Sequence, residues 1–414
     1  MGVAQQTLPN KYNATTNKPT RYINESISKD LIQQLMYLPL VASIREMELP
    51  AGDRGLDGLR WCVVTGGRGF MARHLVAALL RSGDWRVRIT DLAPVATLEP
   101  DEEGILGAAL RVGLAEYVSA DVCDLAQLTK AFEGVDVVFH TATADPAKNC
   151  MHLHYKVNVD GAKNVIDACK TCKVKSLIYT SSSSVVFDGV HDLFGVDESV
   201  QYPAKFADAY AQTKAEAEKL VMEANGMNGL LSCCLRPGSI FGPGDMVISS
   251  IISYGGKLII IGEGKNSDDF VYVDNVVHGH ICAMKALSTK VGAKICGGEA
   301  YFITNVEPMN VWDFVYMVLE ELGYKRPLKI RIPLFIVLPI TYVIEWSYNK
   351  VLYLYGMHQP QSLTSARIKY LTLSRTFSCN KAIEQLGYKP IVSLKDGVKA
   401  TIEMYNRPTY ARLP

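Results

Sequence analysis

Short β-branched runs alternate with helical periodicity through the first half of the chain. Residues 59–65 (LRWCVVT) are mostly apolar, and Met71, Leu75, Leu79 and Leu80 then recur at helical spacing. That pattern predicts a strand followed by a helix over 71–80. Residues 87–90 predict a second strand ending at Asp91, and 116–120 a third ending at Asp121. A helix is predicted over 125–132, and 135–140 is a nearly all-apolar strand, as a parallel sheet buried on both faces requires. A helix over 157–169 and a strand over 177–180 continue the series. Repeated βα units of this kind predict a doubly wound parallel α/β sheet, with ligands bound beyond the strand C-termini.

The ends read differently. Residues 1–58 form a polar N-terminal extension: 1–28 a flexible tail, 29–46 a short amphipathic helix through Leu31, Ile32, Leu35 and Met36 that Pro39 breaks, then Gly52, Gly55 and Gly58 as a linker. They lack the basic start and apolar core of a secretory signal. The dinucleotide domain is expected over 59–236, and a smaller substrate-binding lobe, interleaved with the sheet, over 237–414. Within that lobe, 332–344 is a run of 13 uncharged residues interrupted by Pro333 and Pro339. Glu345, Trp346, Tyr348 and Lys350 and a further apolar run to Tyr355 follow. The stretch is too short to span a bilayer as a helix. It reads either as a helix lining the substrate cleft or as a segment lying in one leaflet on its Trp/Tyr/Lys flank. Trp312, Phe314, Tyr316 and Leu319 read as helix core, and 94–107 (Glu99, Asp101, Glu102, Glu103) as a solvated loop.

Composition narrows the class. Of 414 residues, 48% are apolar and 21% charged, enough for a full core. A formal net charge of +1 gives no electrostatic footprint for nucleic acid. The 10 cysteines are scattered, as in a reduced chain. Cys169-Lys170-Thr171-Cys172 has no second pair, and the pairs His152/His154 and His278/His280 do not share a helix face. No metal site is expected.

The candidate chemistry sits at the predicted strand ends. Gly66, Gly67 and Gly69 fall at the first strand-to-helix turn, where backbone N–H groups and a helix N-terminus receive a pyrophosphate. Asp91 accepts from ribose hydroxyls and repels a 2′-phosphate, favouring NAD over NADP; Arg68 points weakly the other way. Asp121 is placed at the adenine edge, and Thr141, Ala142 and Thr143 let a cofactor cross the sheet. Strand 177–180 runs into Ser181–Ser184, and Tyr210 and Lys214 follow at i and i+4 on a predicted helix. A lysine cation and the positive nicotinamide ring beside the phenol favour the phenolate. With a serine on the substrate oxygen, the three groups suffice to take a proton from a secondary alcohol.

The motifs TGGRGFMARHLV (65–76), LIYTSSSSVVFDG (177–189), YAQTK (210–214), LRPGSIFGPGD (235–245) and DFVYVDNVVHGHICAMKAL (269–287) resemble the extended short-chain dehydrogenases/reductases. Within them, the chain resembles the 3β-hydroxysteroid dehydrogenase family over roughly 59–410, and most of all the decarboxylating sterol-4α-carboxylate 3-dehydrogenases of sterol C4 demethylation. The resemblance implies a Rossmann fold with NAD as cofactor. It makes Tyr210 the proton acceptor and Lys214 a holder of the nicotinamide ribose. It selects Ser182 as the catalytic serine, with Ser183 one register step away. Pro237 is placed beside the nicotinamide, and Phe70, Met71 and Val122 along the cofactor. The implied reaction is oxidation of the 3β-hydroxyl of a 4α-carboxysterol with loss of CO₂. The alternatives are a 3β-hydroxysteroid dehydrogenase/isomerase, a nucleotide-sugar epimerase or flavonoid-type reductase, and a non-catalytic dinucleotide sensor. The implied setting is peripheral on the cytoplasmic face of the endoplasmic reticulum, or else cytoplasmic, as a homodimer or within a C4-demethylation complex.

Overall fold

The computed structural model describes residues 58–148, 150–253, 259–324, 330–350 and 364–405. The expected helix over 29–46 with Pro39, the linker glycines Gly52 and Gly55, and the apolar run after Lys350 lie outside these residues. Seven strands form the main sheet: β1 (Arg60–Thr65), β2 (Trp85–Asp91), β3 (Ala115–Ser119), β4 (Val135–His140), β5 (Ser176–Thr180), β6 (Leu231–Pro237) and β7 (Ala300–Ile303). Their order is β7-β6-β5-β4-β1-β2-β3, and every neighbouring pair is parallel. This is the doubly wound sheet that the alternation predicts. The order reverses between β1 and β4, which opens a crevice at their C-terminal ends.

Both faces of the sheet are covered, which is why its inner strands are continuously apolar. Along β1, Cys62 and Val64 enter one core with Leu75, Leu79 and Ile89, whereas Val63 enters the other with Val138, Val165 and Leu177. Helices α1 (Phe70–Ser82), α2 (Leu125–Ala131), α3 (Gly161–Thr171), α4 (Ala209–Glu223) and α5 (Val273–Leu287) pack on these faces. The chain preceding α3 departs from the expected single helix over 157–169. It makes a wide π-type turn over Tyr155–Asp160, and this turn carries the buried Asn158 inward.

The stretch 94–107 is solvated in part as expected, with Glu99, Asp101 and Glu103 exposed, but it is not all loop. It turns into a wide helical turn, Glu103–Gly107, continued by a short helix, Ala108–Val112. The Glu102 side chain is 13% exposed, because its charge is neutralised by Arg68.

Met309–Asn310, Ser267–Asp268 and Arg375–Phe377 of the second half form a small sheet with Leu193–Val196 of the first, in that order. Trp312, Phe314, Tyr316 and Leu319 are buried on one helix, Val311–Glu321, as core. The halves interleave, since β7 comes from the second half and completes the edge of the main sheet beside β6. Helix α6 (Leu334–Lys350) carries Pro339 inside it, where the sequence reading expected an interruption. Phe335, Ile340, Val343 and Trp346 of α6 are exposed. Among the described residues, no helix is long and apolar enough to cross a membrane.

Candidate active site

The crevice at the reversal point is a cleft of about 310 Å³. Its lining joins the glycine turn (Gly66, Gly69, Phe70, Met71), the residues after β4 (Thr141, Thr143), those after β5 (Ser181, Ser182), the α4 pair Tyr210 and Lys214, and Pro237 at the end of β6. Five separated stretches of sequence therefore meet at one place. Gly67, Asp91, Asp121, Val122 and Ala142 are not part of that lining. Asp121 is occupied in its own turn, accepting from Cys123 N at 2.8 Å. Val122 is buried against Gly161.

The glycines divide by function. Gly66 has φ +62°, and a Cβ there would stand 2.7 Å from the Ala142 Cα. At Gly67 a Cβ would stand 2.5 Å from the Ile89 Cγ2. These two let the turn pack against β4 and β2, which differs from the expectation that all three serve pyrophosphate approach. Gly69 is the open one, since a Cβ would meet only the Gly66 carbonyl oxygen at 3.1 Å. Thr65 ties the turn to β4. Its Oγ1 accepts from Thr141 N at 3.2 Å and bonds His140 Nδ1 at 2.8 Å.

At the end of β2, the Asp91 carboxylate accepts from Arg68 N at 2.9 Å and from Leu92 N at 2.7 Å. The space beside Gly69, the start of the 13-residue α1, and the carboxylate at Asp91 fit the pyrophosphate and ribose of NAD.

Of the serine run, Ser181 and Ser182 line the cleft. Ser183 and Ser184 are buried, whereas Ser182 is half-buried on the cleft and accepts from Ser184 Oγ at 2.8 Å. Tyr210 and Lys214 share the inner face of α4, which starts at the N-cap Asp208 accepting from Ala211 N at 2.8 Å. Lys214 Nζ donates to the Thr180 carbonyl and lies 4.2 Å from the centre of the Tyr179 ring.

Burial dominates the titration of this pair. It pushes the Tyr210 phenol up to about 12, with the neighbouring Ser182 hydroxyl pulling it back and Asp208 pushing it further. It pulls the Lys214 ammonium down to about 7, against Glu218 one turn along. The expected phenolate rests on the lysine cation and the positive nicotinamide ring together; within the chain, desolvation is the largest influence on both groups.

Sequence reasoning missed the supports. Asn158 accepts from Ala144 N at 2.9 Å and donates to Thr213 Oγ1 at 3.0 Å, joining the β4 loop to α4. The only signal was its place near a predicted helix start. The His154 ring lies 6.0 Å from that of Tyr210, edge-on. His280 of α5 donates from Nδ1 to the Val276 carbonyl at 2.8 Å and accepts at Nε2 from Thr180 Oγ1 at 2.7 Å. The end of β5 is thus held from both faces of the sheet.

The model of the 3-beta hydroxysteroid dehydrogenase/isomerase family matches residues 63–334. The chain is 52% identical over 355 residues to a 3beta-hydroxysteroid-dehydrogenase/decarboxylase, isoform 1, of Arabidopsis thaliana, covering 84% of this chain and 80% of that protein. It spans less than two thirds of isoforms 2 and 3 of the same plant, at 63% and 62% of their lengths. It is 35% identical to the human sterol-4-alpha-carboxylate 3-dehydrogenase, decarboxylating, covering 83% of this chain and 88% of that one. Among solved structures, the UDP-glucuronic acid 4-epimerase of Bacillus cereus, bound to its sugar nucleotide and NAD, superposes with a TM-score of 0.62. Its identity is 22%, over 83% of this chain and 98% of that one, a likeness of fold. The family match runs from β1 through the glycine turn, the Ser182–Tyr210–Lys214 cleft and β7 to the start of α6, and on that extent the chain belongs to the 3-beta hydroxysteroid dehydrogenase/isomerase family.

Proposed function

We propose that this protein oxidises the 3β-hydroxyl of a 4α-carboxysterol to the 3-ketone, using NAD, with loss of CO₂, as a step of sterol C4 demethylation. The observation that carries the reading is the convergence of Ser182, Tyr210 and Lys214 on one cleft beside the glycine turn. The names of the plant and human relatives support the substrate class and the decarboxylation. When bound, NAD⁺ supplies the hydride acceptor and a positive charge near the phenol. Tyr210 takes the hydroxyl proton, and Ser182 orients the oxygen by a hydrogen bond. Lys214, charged, opposes the burial that keeps Tyr210 protonated. The oxidised product carries a ketone beside a carbon bearing a carboxylate. Such a β-keto acid loses CO₂ as its electrons pass into the ketone. Tyr210, now protonated, and Ser182 then donate to the enolate oxygen, so the same pair serves both steps.

The test is stoichiometry. NADH and CO₂ appear in equal amounts from the 4α-carboxysterol, with a ketone lacking the carboxyl as product. NADH formed from simple 3β-hydroxysteroids with no preference for the acid would move the reading to the plain dehydrogenase/isomerase.

We further propose peripheral attachment to the cytoplasmic face of the endoplasmic reticulum through α6, supported by its exposed Phe335, Val343 and Trp346. Assembly as a homodimer or with other enzymes of C4 demethylation belongs to the same reading, and co-purification from microsomes tests it.

A further inference from the structure

Two signals in the sequence conflict about the dinucleotide. Asp91 favours NAD, and Arg68, inside the glycine turn, is the residue type that takes a 2′-phosphate. The structure places both at the same corner, because the Arg68 backbone N–H donates to the Asp91 carboxylate at 2.9 Å. The Arg68 side chain, however, is already engaged. Its Nη1 donates to Glu102 Oε1 at 2.8 Å and its Nη2 to Glu102 Oε2 at 2.6 Å, a two-toothed pair. Nη2 also donates to the Thr97 carbonyl at 2.6 Å. Glu102 is itself fixed, since its Oε2 accepts from Glu99 N at 2.7 Å. Both side chains are mostly shielded, at 15% and 13% exposure. Fork-to-fork geometry is the strongest arrangement an arginine makes with a carboxylate.

We infer that Glu102 is a specificity-determining residue for the dinucleotide: it occupies the one cation of the glycine turn and so withholds it from a 2′-phosphate. This rests on the dinucleotide reading above and goes beyond it. Asp91 alone repels the phosphate; Glu102 removes the group that would offset the repulsion. Selectivity then has two independent sources 11 positions apart in the sequence. Neither is sufficient to describe it, and replacing Asp91 alone is expected to leave a residual preference for NAD.

The test is calorimetric titration of the full-length protein with NAD⁺ and with NADP⁺, without substrate, for the parent, Glu102→Gln, Glu102→Ala and the double variant Arg68→Ala/Glu102→Gln. The expected result is NADP⁺ binding about tenfold tighter in the Glu102 variants, the worth of one charge-assisted hydrogen bond, with NAD⁺ affinity held. The gain disappears in the double variant. Retained NAD⁺ binding reports that the variants are folded, and either Glu102 variant suffices. Unchanged NADP⁺ affinity in a variant that still binds NAD⁺ would overturn the inference. So would a gain that survives removal of Arg68, since Glu102 would then act by its own charge. A parent that binds neither dinucleotide would instead overturn the functional reading, and the role of Glu102 with it.

Discussion

Lys214 is completely buried, with the Thr180 carbonyl and the Tyr179 ring as its immediate partners. His140 on β4, Cys234 on β6, and Tyr210 and Glu218 on its own helix complete its charged and titratable surroundings. Burial lowers it from 10.5 to about 7. Between those values the unfolded chain holds the extra proton, so this residue makes stability rise with pH. Its destabilising effect is complete below about 7 and absent above 10.5. Lys214→Met is therefore expected to melt higher than the parent below pH 7, with the gap closing as pH rises toward 10.5, while turnover is lost. Differential scanning calorimetry across that range checks it. Tyr210→Phe separates chemistry from binding. It should lower turnover by about 10²–10⁴-fold while leaving the NAD⁺ dissociation constant unchanged, as steady-state rates and titration report. A Tyr210→Phe variant at the parent's rate would remove the phenol from the mechanism.

At the scale of elements, the turn between β1 and α1 separates folding from binding within four residues. Gly67→Ala drives a methyl to 2.5 Å from Ile89 and 3.0 Å from the Val64 carbonyl, both held in the sheet. A loss of about 1–3 kcal/mol is expected, read by urea unfolding. Gly69→Ala meets only the Gly66 carbonyl at 3.1 Å and should fold normally. Its methyl stands in the cleft, so NAD⁺ affinity falls. Equal stability losses in the two variants would contradict this division. The same turn shows what a sequence discloses. Period and apolar runs were enough for β1, α1 and β4, because burial on two faces leaves a local imprint. Tyr210 and Lys214 were legible for a related reason, since their spacing is itself a geometry. Glu102 was not, because its meaning depends on an arginine 34 positions away. Nor was His280, which reaches Thr180 across 100 positions. The titration of Tyr210 and Lys214 escaped as well, since desolvation is a property of the packed surroundings and not of the pair.

For the whole molecule, the exposed face of α6 sets the prediction about place. Phe335, Val343 and Trp346 are 76%, 63% and 61% exposed, a large apolar presentation on one helix. Replacing all three by serine or glutamine should release the protein from liposomes of endoplasmic-reticulum composition in a flotation assay, with NAD⁺ binding retained. A parent protein that already stays free of such liposomes would return α6 to the substrate cleft. Membrane contact would also place a water-insoluble sterol at its source.

The interleaving of the two halves bears on how the chain is made. On the ribosome, β1 to β6 emerge first, and they already hold the dinucleotide corner and Tyr210. The partner that closes the outer side of β6 is β7, and it emerges only after α5. Until then β6 presents unpaired backbone groups, the kind of edge that recruits other chains. A nascent chain halted after Pro237 is therefore expected to be the aggregation-prone intermediate. Transplanting the substrate-binding lobe onto another dinucleotide domain would likewise fail unless β7 travelled with the sheet it completes.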